Sequence, residues 1–469
     1  LLSCSFLFSN NCHEIVEIMT KGLSMASLSL YIVTFNCGRE LIDKAAVASQ
    51  LFNGLDDSNL PDLLVVSLQE IAPIAQSFIG GSFLVPYFAK FEDAVNIAAK
   101  QLSGNSTDRY TSIVARHVGM TAIIVFAKDP ATIEGIETAG IGLGASEMGN
   151  KGAVGVRLLY RDVNSIGGAS TELTFVAAHL AAMEEGIERR NEDWKNIVRG
   201  LVFSSTSRER QGNATSLSVA GVEDEQPLLS ISPQAAGIYK QTSHLFVAGD
   251  LNYRTSNLKP SPLDHRDSFP QPHHDEDSPQ HHFNLFENDQ LTQEREAGRT
   301  CHGLIEVPVT FPPTYKYNSN KPFLVPDDEI SHWSWAKHRW PSWCDRILYL
   351  DMPPWLKRQA PQAEIIPHKY LALPLFPTSD HRAVVLGFTI PLIPIPKPDE
   401  NEDNDDPRIT PPFTINPDWK ADREKAKRLE LISGFTVYLT GTWEGWGVLL
   451  ATAAGIVGGF FILKSFLEF

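Results

Sequence analysis

Cysteine is scarce: Cys4, Cys12, Cys37, Cys301 and Cys344 are all there are in 469 residues, with no CxxC pair and no even framework. That excludes a disulfide scaffold and a zinc ribbon, and fits a reducing compartment. A basic surplus is also missing. Forty Lys and Arg stand against 56 Asp and Glu, for a formal charge of −16. Phosphate-backbone binding depends on Lys and Arg, so non-specific nucleic-acid binding is excluded. No Cys-x5-Arg loop exists for a cysteinyl-phosphate mechanism, no GxxxxGK[ST] for an NTPase, and no internal repeat. The chain starts at Leu1 without a convincing period until Leu28. Residues 1–24 read as a leader outside the mature protein, with Met25 as the start. A signal peptide is the weaker alternative, because no positive segment precedes the short apolar stretch at 1–8. Without export, the sequons at Asn105 and Asn213 stay unmodified.

Apolar residues are plentiful at 43%, enough for a large core. The runs at 28–35, 63–68, 122–126, 154–159, 173–178, 245–248 and 347–350 read as buried strands, and 94–102 and 184–197 as helices, an α/β pattern. Loop insertions are expected at about 204–242, rich in Ser, Gln and Gly, and at about 256–282. The second holds His265, His273, His274, His281 and His282, read as a solvated loop in preference to a metal site. Residues 391–412 are Pro-rich and acidic and are expected to form an extended linker. The acidic Pro-rich linker and basic juxtamembrane segment together cover 394–444. From 445 to 463 there are 19 residues without a charge. Such a helix is about 28 Å long, against a hydrocarbon core of ~30 Å. Trp443 and Trp446 mark its near edge, and Lys420, Arg423, Lys425, Lys427 and Arg428 precede it. These imply a tail anchor with a cytosolic catalytic body, rather than a buried core helix. A GxxxG at Gly455 and Gly459 is a weak signal in so glycine-rich a span.

Chemically useful residues recur where the expected strands end: Asn36, Gln69-Glu70, His179, Gly249-Asp250-Leu251-Asn252 and Ser379-Asp380-His381. Each alone has a structural explanation, such as a turn or a helix start. Two histidines, three carboxylates and two asparagines together suit metal-assisted phosphoester hydrolysis: hard oxygen ligands, a carboxylate for water, and donors for developing charge.

The blocks Gly149-Asn150-Lys151-Gly152, His179-Leu180-Ala181-Ala182, Arg190-Asn191, Gly249-Asp250-Leu251-Asn252-Tyr253-Arg254, Pro313-Thr314-Tyr315-Lys316-Tyr317, Pro341-Ser342-Trp343-Cys344-Asp345-Arg346 and Ser379-Asp380-His381, in this order, resemble the inositol polyphosphate 5-phosphatases. The resemblance covers about residues 28–391, and 25–393 is the expected catalytic domain. It implies the DNase I-like four-layer α/β sandwich of the endonuclease/exonuclease/phosphatase superfamily, followed by one C-terminal transmembrane helix. With that helix the chain is most similar to the tail-anchored fungal phosphatidylinositol 4,5-bisphosphate 5-phosphatases.

The resemblance further implies Mg²⁺ bound by Glu70 with Asn36 and Asp380. Asp250 would activate water, Asn252 would hold water and the scissile phosphate, and His179 and His381 would contact that phosphate. Asp345 would orient His381. Asn150 would contact phosphate, while Tyr315, Lys316, Lys337 and Arg339 would read the 4-phosphate, a group suited to charge-assisted bonds. The implied partners are a phosphoinositide lipid and a membrane, most consistent with the endoplasmic reticulum, and no nucleic acid. Ala178, Ala153 and Phe35 stand where the family often has Ser, Gly and Trp; none of these removes a reactive group. Two other classes were weighed: an apurinic endonuclease or neutral sphingomyelinase on the same fold, opposed by the PTYK and PSWCDR blocks, and a catalytically dead membrane tether, opposed by the complete set of catalytic groups.

Overall fold

A computed structural model describes residues 26–55, 59–105, 107–162, 168–205, 233–320, 322–399, 402 and 405–467. The leader at 1–24 and most of the first insertion lie outside them. Thirteen strands follow in order: β1 Ser27–Asn36, β2 Leu63–Gln69, β3 Thr111–Val118, β4 Thr121–Ala127, β5 Ile133–Gly142, β6 Gly152–Arg161, β7 Ser170–His179, β8 Ser204–Ser205, β9 Ser243–Asp250, β10 Leu304–Ile305, β11 Asp345–Leu350, β12 Ile366–Ala372 and β13 Val384–Pro391. They form a six-stranded sheet, β12-β13-β1-β2-β4-β3, and a seven-stranded sheet, β10-β11-β9-β7-β6-β5-β8. β1–β2 and β7–β9 pair in parallel, whereas β1–β13 and β9–β11 pair antiparallel.

Alternation along the strands makes the layers. On β1, Leu28, Leu30 and Ile32 point between the sheets, and Tyr31, Val33 and Phe35 point outward into a second apolar layer. A strand covered on both faces reads as a continuous apolar run, which is why β1 and β2 were legible. The outer layer is helix Val85–Ser103, whose Phe88, Phe91, Val95 and Ala98 form one buried stripe, ended by left-handed Gly104. The other sheet is covered by helix Ile187–Gly200 through Trp194, Ile197 and Val198. The result is the expected four-layer α/β sandwich.

All seven expected strands are present. β3, β5 and β12, which are half-exposed and mix polar with apolar residues, are not among the expected strands, and neither is buried β13. The helix expected from 184 starts at Ile187, because residues 183–186 form a turn closed by the Gly186 N–H donating to the Met183 carbonyl at 3.2 Å. Two expectations are corrected. His281 and His282 are buried rather than solvated, with the His282 ring 6.0 Å from Trp333. The 391–412 stretch lies on the domain: Leu392 and Ile395 enter the core, and Trp355 Nε1 donates to the Pro396 carbonyl at 2.8 Å. Beyond it come two helices, Trp419–Gly441 and Trp443–Leu467. The last is long and apolar enough to cross a membrane, with mean hydropathy 2.0 in its most apolar window and none of that window buried.

His244 on β9 is fully buried, and neither ring nitrogen has a partner among the described residues. Burial, reinforced by the charge of Arg408, pushes its pKa down to about 3. The folded pKa thus lies below the unfolded value, so stability is intact above about pH 6.5 and falls as pH drops below it. By this linkage the group should cost about 2 kcal/mol of stability between pH 7 and pH 5. His244→Leu should lose correspondingly less over that interval in urea unfolding; an unchanged pH slope would show that His244 is not the acid-sensitive group.

Candidate active site

Register assembles the first part of the site. In the seven-stranded sheet His179 lies opposite Asp250, and Asp250 opposite Asp345, so three strands place these side chains in one row at the sheet end. In the other sheet Asn36 lies opposite Gln69, and Glu70 follows. The two sheet ends are stitched together where Asn36 Nδ2 donates to Asp250 Oδ2 at 2.9 Å. Ser67 Oγ, donating to the Ala248 carbonyl at 2.8 Å, makes a second tie two residues deeper. Glu70 has φ +46° and Asn252 φ +59°, conformations that turn both chains sharply out of their strands.

Around Asp250 the geometry is dense. His179 Nε2 is 3.3 Å and His381 Nε2 3.9 Å from Asp250 Oδ2. His381 Nδ1 is 2.9 Å from Asp345 Oδ2, which also accepts from Thr314 Oγ1 at 2.7 Å. With Asp345 accepting, the proton sits on Nδ1, and Nε2 faces the cleft. The Tyr315 ring centroid lies 4.5 Å from that of His381 and 4.4 Å from the Arg254 guanidinium. The Asn252 main-chain N–H donates to Asp250 Oδ1 at 3.1 Å, and its Nδ2 donates to the Leu180 carbonyl at 3.1 Å. Arg254 holds the Asn252 side-chain oxygen.

The charges divide clearly. Burial opposes ionisation of Asp250, but His381, His179 and Lys151 outweigh it and hold the carboxyl well below the usual range. Burial also disfavours a charged His381, yet Asp345 and Asp250 push its pKa up. Asp345 is raised by burial, offset by His381. His179 is pushed down by burial and by Lys151. At neutral pH the arrangement is an anionic Asp250 between a neutral and a cationic imidazole.

Glu70 and Asp380 supply carboxylates at the cleft. Arg39 Nε donates to Glu70 Oε2 at 2.6 Å, and Lys151 Nζ lies 3.7 Å from Oε1. Lys316 pairs with Asp380. Asp250, Asp345 and His381 bring one ligand atom each within 4.8 Å, close enough for a metal ion. However, His381 Nδ1 and Asp345 Oδ2 are engaged with each other, which leaves neither atom open to a cation. The hard oxygen donors left for a divalent cation are Glu70, paired with Arg39 and Lys151, Asp380, paired with Lys316, and the Asn36 amide oxygen, which accepts from Gly38 N at 3.1 Å.

The structure therefore brings together Asn36, Glu70, His179, Asp250, Asn252, Asp345, Asp380, His381, Tyr315 and Lys316. Arg339 is beside them: its Nη1 donates to buried Glu184 Oε2 at 3.2 Å. The charges of Lys316 and Arg339 both bear on His338. Lys337 is exposed. Asn150 is turned toward the 144–150 loop, where a Cβ on Gly144 would meet its Oδ1 at 1.8 Å. Its neighbour Lys151 reaches His179 and Glu70 instead. Sequence reasoning gave no role to Lys151, Arg39, Arg254, Thr314 or Glu184. Lys151, Arg254 and Thr314 lie inside the quoted blocks, which was the available signal; Arg39 and Glu184 had none.

The profile of endonuclease/exonuclease/phosphatase family 2 matches residues 33–387. The chain belongs to this family. Among curated relatives of this phosphatase branch, it is similar to type II inositol polyphosphate 5-phosphatase 14 of Arabidopsis thaliana, 29% identical over 362 residues, covering 71% of the chain and 28% of that protein. It is also similar to inositol-1,4,5-trisphosphate 5-phosphatase 1 of Schizosaccharomyces pombe, 26% identical over 400 residues, covering 82% of the chain and 29% of that protein. The chain thus spans under a third of these relatives' length. The solved inositol polyphosphate 5-phosphatase domain of synaptojanin, in complex with inositol (1,4)-bisphosphate and calcium, shares the fold, with TM-score 0.52, 22% identity and coverage of 89% of this chain and 95% of that one. The resemblance to inositol polyphosphate 5-phosphatases and the expected sandwich are both borne out.

Within this phosphatase fold, Asp345 is what keeps His381 charged. Asp345→Asn should lower the His381 pKa by about one to two units, the size of a lost charge-assisted bond. An NMR titration of the ring in metal-free protein reads this directly; an unmoved His381 would remove Asp345 from that role.

Proposed function

We propose that the protein hydrolyses the 5-phosphate of phosphatidylinositol 4,5-bisphosphate to give phosphatidylinositol 4-phosphate, with Mg²⁺, at the surface of the membrane that holds its last helix. The observation that carries this reading is an anionic Asp250, flanked by His179 and His381, beside a separate basic set formed by Lys316 and Arg339. One cluster suits a phosphate that reacts, the other a phosphate that is only bound.

Asp250 orients the attacking water and accepts its proton. As the water oxygen bonds to phosphorus, the bond from phosphorus to the inositol oxygen breaks; that oxygen takes up a proton from solvent, and Asp250 returns to solvent the one it accepted. Cationic His381 donates toward the phosphoryl oxygens, held in direction by Asp345. His179 faces the same group, the Asn252 amide borders it while held by the Leu180 carbonyl and Arg254, and exposed Lys337 adds charge to the basic set; Asn150, turned into the 144–150 loop, makes no such contact. Glu70, Asn36 and Asp380 would hold Mg²⁺, which when bound supplies positive charge to the phosphoryl oxygens. Catalysis takes place on the cytosolic side of that membrane, on the side of the basic residues Lys420, Arg423, Lys425, Lys427 and Arg428 that precede the last helix.

Phosphate release by the full chain, across phosphoinositides with and without Mg²⁺, tests the reaction. Chelation should abolish release. Glu70→Gln should lower turnover by orders of magnitude without unfolding, because Mg²⁺ has few protein ligands to lose. Near-normal turnover of this variant at saturating Mg²⁺ would remove Glu70 as a ligand.

Specificity gives a second test. Arg339→Ala removes a charge-assisted contact of roughly 1.5–3 kcal/mol. The preference for phosphatidylinositol 4,5-bisphosphate over a lipid carrying only the 5-phosphate, as kcat/KM, should fall about ten-fold or more. Equal losses on both lipids would mean that Arg339 serves the fold or the scissile phosphate.

A further inference from the structure

The basic segment before the last helix is a docked helix. Trp419–Gly441 runs across helix Ile74–Ile79, and Gly434 lets the two approach, since a Cβ there would lie 2.9 Å from Phe78 Cβ and 3.2 Å from the Ile79 nitrogen. Tyr438 packs edge-on against Phe83, with ring centroids 5.3 Å apart. The decisive contact is polar. Glu430, only 3% exposed, accepts the Gly149 N–H on Oε1 at 2.8 Å. Arg423 holds the same carboxylate with two bonds, of 2.7 and 3.1 Å.

Gly149 is not an arbitrary place to hold. Two residues later Lys151 touches His179 and Glu70. The Gly149 carbonyl accepts from Met120 N at 2.8 Å, and the Met120 carbonyl accepts from Ile71 N, next to Glu70, at 3.2 Å. Gly149 packs on Gly119 so closely that a Cβ on either would lie under 3 Å from the other's backbone. A hydrogen-bonded path therefore runs from Glu430 through Gly149 and Met120 to the residue after Glu70. The helix also rests on 74–79, the element that follows Glu70 directly.

We propose that the juxtamembrane helix is a working part of the active site: Glu430 is a positioning residue that pins Gly149 and thereby fixes the cleft wall carrying Lys151 and Glu70. The inference rests on the proposed phosphatase reaction for its effect on turnover. The pinning itself does not depend on the substrate. The 419–441 helix is thus more than a spacer between the catalytic domain and the span.

The test uses the full chain in detergent micelles. Hydrogen–deuterium exchange over residues 143–152 reads the pinning, and turnover of phosphatidylinositol 4,5-bisphosphate dispersed in the same micelles reads its effect where approach to a bilayer plays no part. Glu430→Ala removes the acceptor, Gly434→Leu lifts the helix sterically, and Glu430→Gln keeps an oxygen for Gly149. The first two should each speed exchange in 143–152 about ten-fold or more and lower kcat by a similar factor, with a smaller change in KM. Glu430→Gln should stay within about three-fold of the unsubstituted chain in both. Unchanged exchange in both disrupting variants would overturn the pinning. Faster exchange with kcat retained would overturn the role in catalysis. An unsubstituted chain that releases no phosphate counts against the proposed reaction, and exchange then still decides the pinning.

Discussion

The hydrogen bond from Asn36 to Asp250 joins the ends of two sheets that meet mainly through apolar side chains, with the Ser67–Ala248 bond two residues deeper. Everything chemical about the site depends on both sheets ending at the same level. His179, Asp250 and Asp345 come from one sheet by register, and Asn36 and Glu70 come from the other. A slip of one residue in either parallel pair would turn those side chains to the opposite face of their sheet. The apolar packing between Leu30, Val65, Phe175 and Phe246 therefore secures catalytic geometry as well as stability, because it specifies the register.

Burial then separates the roles of chemically similar groups. Asp250, Asp345, Glu70 and Asp380 are all carboxylates, yet each has different neighbours. Asp250 is held ionised among imidazoles and Lys151, while Asp345 is withdrawn behind His381 with Thr314. Glu70 and Asp380 lie nearer solvent against mobile-headed cations, Arg39, Lys151 and Lys316, whose long side chains can yield to another positive charge. The same residue type thus stands in distinct electrostatic surroundings, the condition that lets one group differ from another in chemistry.

The sequence was informative where function and folding use local signals. Strands covered on both faces announce themselves as apolar runs, and the residues that end them, from Asn36 to His381, stood out by their positions. Edge strands such as β3 and β12 did not, because their alternation is diluted by solvent-facing residues. Arg39 and Glu184 were invisible because their importance comes from the partner they meet: Arg39 finds Glu70 across 31 positions, and Glu184 finds Arg339 across 155. The Glu430–Gly149 bond spans 281 positions and joins a charged helix to a glycine loop, a pairing that no spacing rule suggests. Buried His281 and His282 misled for the converse reason: a polar, Pro-rich context hid aromatic packing.

The docked 419–441 helix also removes slack. Had residues 394–444 been a free coil, their root-mean-square span would be about 40 Å, with much longer excursions when stretched. Instead, Leu392 and Ile395 lie in the core, Trp419–Gly441 lies on the domain, and Thr442 Oγ1 accepts from Gly445 N at 3.0 Å where the last helix begins. A cleft carried on so short a leash cannot sweep a neighbouring bilayer. With the last helix in a membrane, as proposed, encounter with a lipid substrate would be governed by its two-dimensional density in that leaflet, and supply would be a matter of lateral diffusion.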